Sequence, residues 1–228
     1  MSGAGDRFEI GVQEVRTLLS LCSLSESETA RNNAVSRAST VLLVSHFESL
    51  VKSVAEEFMD SVASGAIESR SIPIGIRELH SIPRMEEILA CGDRAQRATL
   101  LRKITEYGCL WVPEAKPPAG LLKASALVRK VTSADHLVVD EVFDLMGAAS
   151  PVCDGDIDVD LEDDGVPSPV NIRLMLRDVI QCRNDIAHGD ADRIPTRKDV
   201  ERYIRQLEAL SRRLEARTAQ LANAVLAR

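Results

Sequence analysis

Aromatic residues are scarce in this chain: one Trp, two Tyr and four Phe make up 3% of 228 residues. A core poor in rings must be packed by aliphatic contacts, and Ala, Leu, Val, Arg and Glu dominate the composition. That mixture favours helices over a sheet-rich core. No apolar run approaches the length of a membrane span. The opening MSGAGDRFEI lacks the basic-then-apolar order of a secretory signal, so a soluble, cytoplasmic protein is expected. Five cysteines (Cys22, Cys91, Cys109, Cys153 and Cys182) are scattered, odd in number and without CxxC spacing. Neither a zinc site nor a disulfide framework is expected; free thiols in a reducing compartment fit better.

Net positive charge is also missing. The formal balance is −7, which argues against a protein that coats nucleic acid non-specifically. Its distribution is uneven. Residues 171–228 hold 12 Lys and Arg against 8 Asp and Glu, a local +4 that leaves −11 for residues 1–170. A basic C-terminal third on an acidic chain can still attract phosphate locally.

Apolar spacing predicts a first helix over Asp6 to Cys22 and a long second one from about Glu28 to Ser64, after N-cap candidates in SLSESET. Pro73, Gly75 and Pro83 punctuate a short helical piece. Arg84 to Tyr107 reads as one or two helices broken near Cys91 and Gly92, and WVPEAKPPAG reads as a loop. Helix resumes from about Leu121, and again over Ala134 to Met146 with Ser133 as N-cap. CDGDIDVDLEDDG is dense in carboxylates but lacks the mid-loop Gly and closing Glu of a calcium-binding loop. It is expected to be a solvated acidic loop over about residues 148–167. Ser168 and Pro169 suit the N-cap and first position of a helix running to His188, with Gly189 as its left-handed stop. After Pro195, Thr196 and Asp199 have capping-box spacing ahead of a last helix. The expectation is an all-α bundle of long antiparallel helices in one domain over residues 1–228, with no internal repeat.

One stripe on the Ser168 helix runs Ile172, Leu176, Val179 and then Arg183, in steps of four, three and four. A guanidinium at a core-facing position needs a partner or a wet pocket; snorkelling is the plain alternative. His188, five residues on, sits in the last turn, where the helix dipole favours a protonated imidazole. Asn184 lies four residues before it on the same face. Arg offers a planar fork for phosphate oxygens and His moves protons near neutrality. Together they are equipped to cleave RNA without a metal. The bare spacing also fits Arg129 and His136, but those straddle an expected helix start.

The fuller string RNDIAHG is more specific. With it, the chain resembles the HEPN superfamily, most closely the MAE-type and RiboL-PSP-linked branch, whose signature has the form RNxIAHG. RASTVLLVSHFESLV on the long second helix is similar to that branch too. The resemblance implies a HEPN-like helical bundle that dimerises so that two Arg–His pairs face one cleft. It implies metal-independent endoribonuclease activity, with no cofactor, in toxin–antitoxin or anti-phage settings. RNA is then the substrate, and an antitoxin or regulatory protein is a possible partner. Arg183 and His188 would be catalytic and Asn184 supporting. His46 and Glu48 are weaker candidates for lining the cleft, their plainer reading being polar residues on an exposed helix face. HEPN toxins paired with a nucleotidyltransferase antitoxin carry Tyr two residues after the His; here Asp190 stands there, which speaks against control by modifying that Tyr. Two other readings stay open: a non-catalytic module that binds RNA, nucleotide or protein, and a structural dimerisation bundle.

Overall fold

A computed structural model describes residues 3–22, 28–64, 67–161 and 166–227. Its described elements run α1 (Gly3–Leu19), α2 (Thr29–Ser64), α3 (Ile74–Ala90), α4 (Arg94–Ile104), α5 (Ala124–Val128), α6 (His136–Leu145), β1 (Asp156–Val159), β2 (Ser168–Asn171), α7 (Ile172–Ala187) and α8 (Arg197–Leu226). The protein is all-α, with one two-stranded sheet among the described residues. The cap candidates at 23–27 lie outside those residues. No described helix is long and apolar enough to cross a membrane.

The chain gathers into two compact units. The first comprises Met1–Val54, Val131–Asp140 and Val152–Ala216; the second comprises Ala55–Lys130, Glu141–Pro151 and Arg217–Arg228. In the first, α1 and α2 meet through Phe8 and Phe47, edge to face with centroids 5.9 Å apart. Gly11 lets α1 come close: a Cβ there would lie 2.5 Å from Cγ of His46. Ile172, Leu176, Val179, Val200, Leu207 and Leu210 are fully buried. The first three are the stripe read from α7 and the last three are the inward positions of α8; their removal from water is what fixes both helices.

In the second unit, α3 continues through Pro83, although that ring withholds the N–H that the Leu79 carbonyl would accept. The punctuation expected at Pro83 is therefore absent, and the break falls at Cys91–Asp93, where Asp93 caps α4 by accepting from Gln96 N at 2.6 Å. His80 is buried. Its Nδ1 stands 2.8 Å from the Ile76 carbonyl, and its Nε2 accepts from Lys123 N at 2.9 Å.

Three further local expectations are corrected. The acidic stretch is not a simple solvated loop: β1 pairs antiparallel with β2, Asp156 opposite Asn171 and Val159 opposite Ser168. Ile157 and Val159 are buried while Asp156 and Asp158 are exposed, the period-two pattern of a strand with one covered face. Ser168 and Pro169 consequently belong to β2, and α7 begins only at Ile172, with Asn171 Oδ1 accepting from Leu174 N at 3.2 Å. At α6 the cap is Asp135, which accepts from Leu137 N at 2.9 Å; Ser133 Oγ instead accepts from Asp135 N at 3.3 Å.

Candidate functional site

The first unit carries the residues singled out at the end of α7. Once Ile172, Leu176 and Val179 face the core, helical geometry brings Arg183 to the next inward position. There it meets Glu48 of α2: Arg183 Nη2 donates to Glu48 Oε1. The two side chains are 24% and 23% exposed, so this is a half-buried pair with access to solvent. Arg183 Nε is buried and has no hydrogen-bond partner among the described residues. Glu48 thus holds the guanidinium in place while part of both side chains stays open to solvent.

α7 ends as its sequence dictates. Gly189 adopts φ +87°, and its N–H donates to the Ile186 carbonyl at 3.1 Å. Asp190 N–H reaches the Asp185 carbonyl at 2.9 Å. This pair of bonds is the Schellman motif, which satisfies carbonyls the helix would otherwise leave open. His188 is the C-cap residue and donates its own N–H to the Asn184 carbonyl at 2.9 Å. Its side chain is exposed, and its ring has no partner among the described residues. Asn184 is half-buried, with its carboxamide likewise unpartnered.

His46 goes elsewhere. Its Nε2 lies 3.1 Å from Glu14 Oε2 on α1, and the ring sits against Gly11. The structure thus brings Glu48 together with Arg183 and places His46 in a different contact. Neither residue is fully exposed.

Further residues hold this region, and they differ in how far the sequence signals them. Arg37 Nη1 donates to the carbonyls of Asp190 at 2.6 Å and Arg193 at 2.8 Å, fastening the segment after His188 to α2. Asp178 accepts from Arg193 and Arg202, each at 3.2 Å, and from the Tyr203 hydroxyl at 3.0 Å. Burial first, and the Asp178 charge second, push the Tyr203 hydroxyl's pKa up. The phenol therefore stays a donor. Arg37 gives no sequence signal, because its partners are main-chain oxygens far along the chain. Asp178 does give one. Positions 174, 175, 181 and 182 are Leu, Met, Gln and Cys, so it has no cation one helical turn away and must be paired from another element.

Among the described residues no group of three or more His, Cys, Asp or Glu is placed to hold a metal ion. What stands ready is a proton-transfer group, a cation and polar support.

Residues 6–106 match the family model of RiboL-PSP-HEPN, a match consistent with a member of the HEPN superfamily. The matched segment contains His46 and Glu48 and ends before RNDIAHG. No curated protein and no solved structure matches the chain.

Proposed function

From that likeness we propose that the protein is a metal-independent endoribonuclease of the HEPN type, with Arg183 and His188 as catalytic residues. The observation that carries this is the pairing of a held, half-buried Arg183 with an exposed His188, unpartnered among the described residues, at the two sides of one helix end.

In the proposed reaction the ribose 2′-oxygen attacks the adjacent phosphorus and the bond to the 5′-oxygen breaks. The products are a 2′,3′-cyclic phosphate and a 5′-hydroxyl. One imidazole takes the 2′-hydroxyl proton and another group protonates the departing 5′-oxygen. His188 supplies one transfer, and His188 of a second copy supplies the other in a homodimer with a shared cleft. Arg183 stabilises the charge that builds on the phosphorane. Glu48 fixes the guanidinium, and Asn184 supplies polar support beside it. A toxin or anti-phage effector, restrained by a regulatory protein, is the setting this reading fits.

The acidic balance of −7 favours a second reading, a non-catalytic module that binds RNA, nucleotide or protein. One assay separates the two. Mixed RNAs are incubated in EDTA with the wild type, His188→Ala and Arg183→Ala. We expect cyclic-phosphate ends from the wild type and a loss of at least about 100-fold in each variant. Equal survival of RNA in all three samples at high protein concentration sinks the nuclease reading and leaves the binding module.

A further inference from the structure

The imidazole of His188 has no partner of its own among the described residues. A catalytic base is ordinarily oriented by a third group, so here the main chain on either side must set where the ring stands. On the leading side that is α7, through the His188 N–H on the Asn184 carbonyl at 2.9 Å. On the trailing side, residues 189–196 belong to no helix or strand. The carbonyls of Asp190 and Arg193 therefore have no ladder to join and must be satisfied from elsewhere.

α2 supplies what they lack. Arg37 and Glu48 are eleven residues apart, about three turns, and so lie on one face of α2. Glu48 holds the side chain of Arg183. At the other end of that face, Arg37 Nη1 donates to the Asp190 carbonyl at 2.6 Å and to the Arg193 carbonyl at 2.8 Å. Such charge-assisted bonds are the stronger kind. His188 lies in the chain between the two holds, after Arg183 and before Asp190. Arg193 is also fixed from α7: its Nη2 is 3.2 Å from Asp178 Oδ1 and its Nε 3.8 Å from Asp185 Oδ2. The arc beyond His188 is thus fastened to α2 by its main chain and to α7 by a side chain. Neither fastening uses the imidazole.

We propose that Arg37 is a positioning residue for His188: by holding the chain just beyond it, Arg37 sets where the imidazole stands against the RNA. The inference takes its geometry from the two main-chain bonds and rests on the nuclease reading for its chemical consequence. Arg37 itself touches neither substrate nor reacting atoms, and its effect passes through the path of the backbone. The competing role is a plain brace, which would add stability and leave the ring where it is.

The chain has four histidines, so the ring signal of His188 can be followed by proton–carbon NMR and assigned by its loss in His188→Ala. In Arg37→Ala the His188 signal is expected to move and broaden, while those of His80 and His136 stay in place. Arg37→Lys, which can still donate to a carbonyl, is expected to bring it most of the way back. For RNA cleavage, Arg37→Ala is expected to lower kcat about 10-fold with KM changed by less than about 2-fold, because a displaced base loses rate before affinity. Arg37→Lys should recover most of that loss. A His188 signal unmoved in Arg37→Ala overturns the proposal, as does a moved signal with kcat unchanged. Movement of all four histidine signals also overturns it, since that marks a general loosening. A wild type that cuts no RNA fails the nuclease reading alone, and the His188 signal then decides by itself whether Arg37 sets the ring.

Discussion

His80 and His188 are the same residue type at the inner and outer extremes of this molecule. His80 is buried with both ring nitrogens committed. A carbonyl can only accept and a backbone N–H can only donate, so Nδ1 carries the proton and Nε2 is bare. His80 is thereby a fixed neutral bridge between α3 and the start of α5. His188 is exposed and its ring is unclaimed among the described residues. What separates a structural histidine from an available one is the accounting of its two nitrogens, which residue type and helix position alone do not give.

That contrast can be broken deliberately. His80→Ala leaves a cavity and strands the Lys123 N–H, and is expected to cost about 2–4 kcal/mol. His188→Ala should stay within about 0.5 kcal/mol of the wild type. Urea melts of both variants check this, and equal losses would erase the distinction.

Much of the region around His188 was readable in the sequence. The stripe of α7, the stop at Gly189 and the capping box at Thr196 all rest on contacts within a few residues. At the N-terminus of α7 two valid local signals compete, and the one nearer Ser168 loses. Ser168 and Pro169 match a helix start, but Pro169 and Ser168 pair with Asp158 and Val159 across the sheet, and Asn171 was left to cap. The alternation of Ile157 and Val159 was visible, yet a four-residue strand inside a run of aspartates declares itself only when its partner is known. Glu48 met Arg183 for a similar reason. A half-buried acid on a long helix shows its purpose only through a cation from another element.

The cap of α7 offers a smaller test of how firmly the helix is set. Asn171→Ala removes the acceptor for Leu174 N and should destabilise by about 1 kcal/mol. Asn171→Gly should recover most of that, as read in the same melts.

The smallest expected effect is at the start of α8. Asp199 accepts from Thr196 Oγ1 at 2.7 Å and from Thr196 N at 2.9 Å. Burial acts to raise its pKa, but the Thr196 hydrogen bonds and Arg202 outweigh it and hold the carboxyl below its ordinary value. A depressed folded-state pKa contributes stability above the unfolded value, and that stability is lost as pH falls through the folded one. Asp199→Asn should thus melt below the wild type at neutral pH, and the gap should narrow as the solution is acidified past the carboxylate range. A gap independent of pH would mean that the hydrogen bonds, and not the charge, set the effect.

Arg37 holds the segment after His188 by two main-chain oxygens, and every residue has such an oxygen. The grip is therefore indifferent to which side chains occupy positions 190 to 192. That short arc can be re-lettered, changing the charge and shape it presents beside His188, while the tether underneath stays tied. Adaptability of the rim and constancy of its foundation are in this way assigned to different atoms of the same short segment.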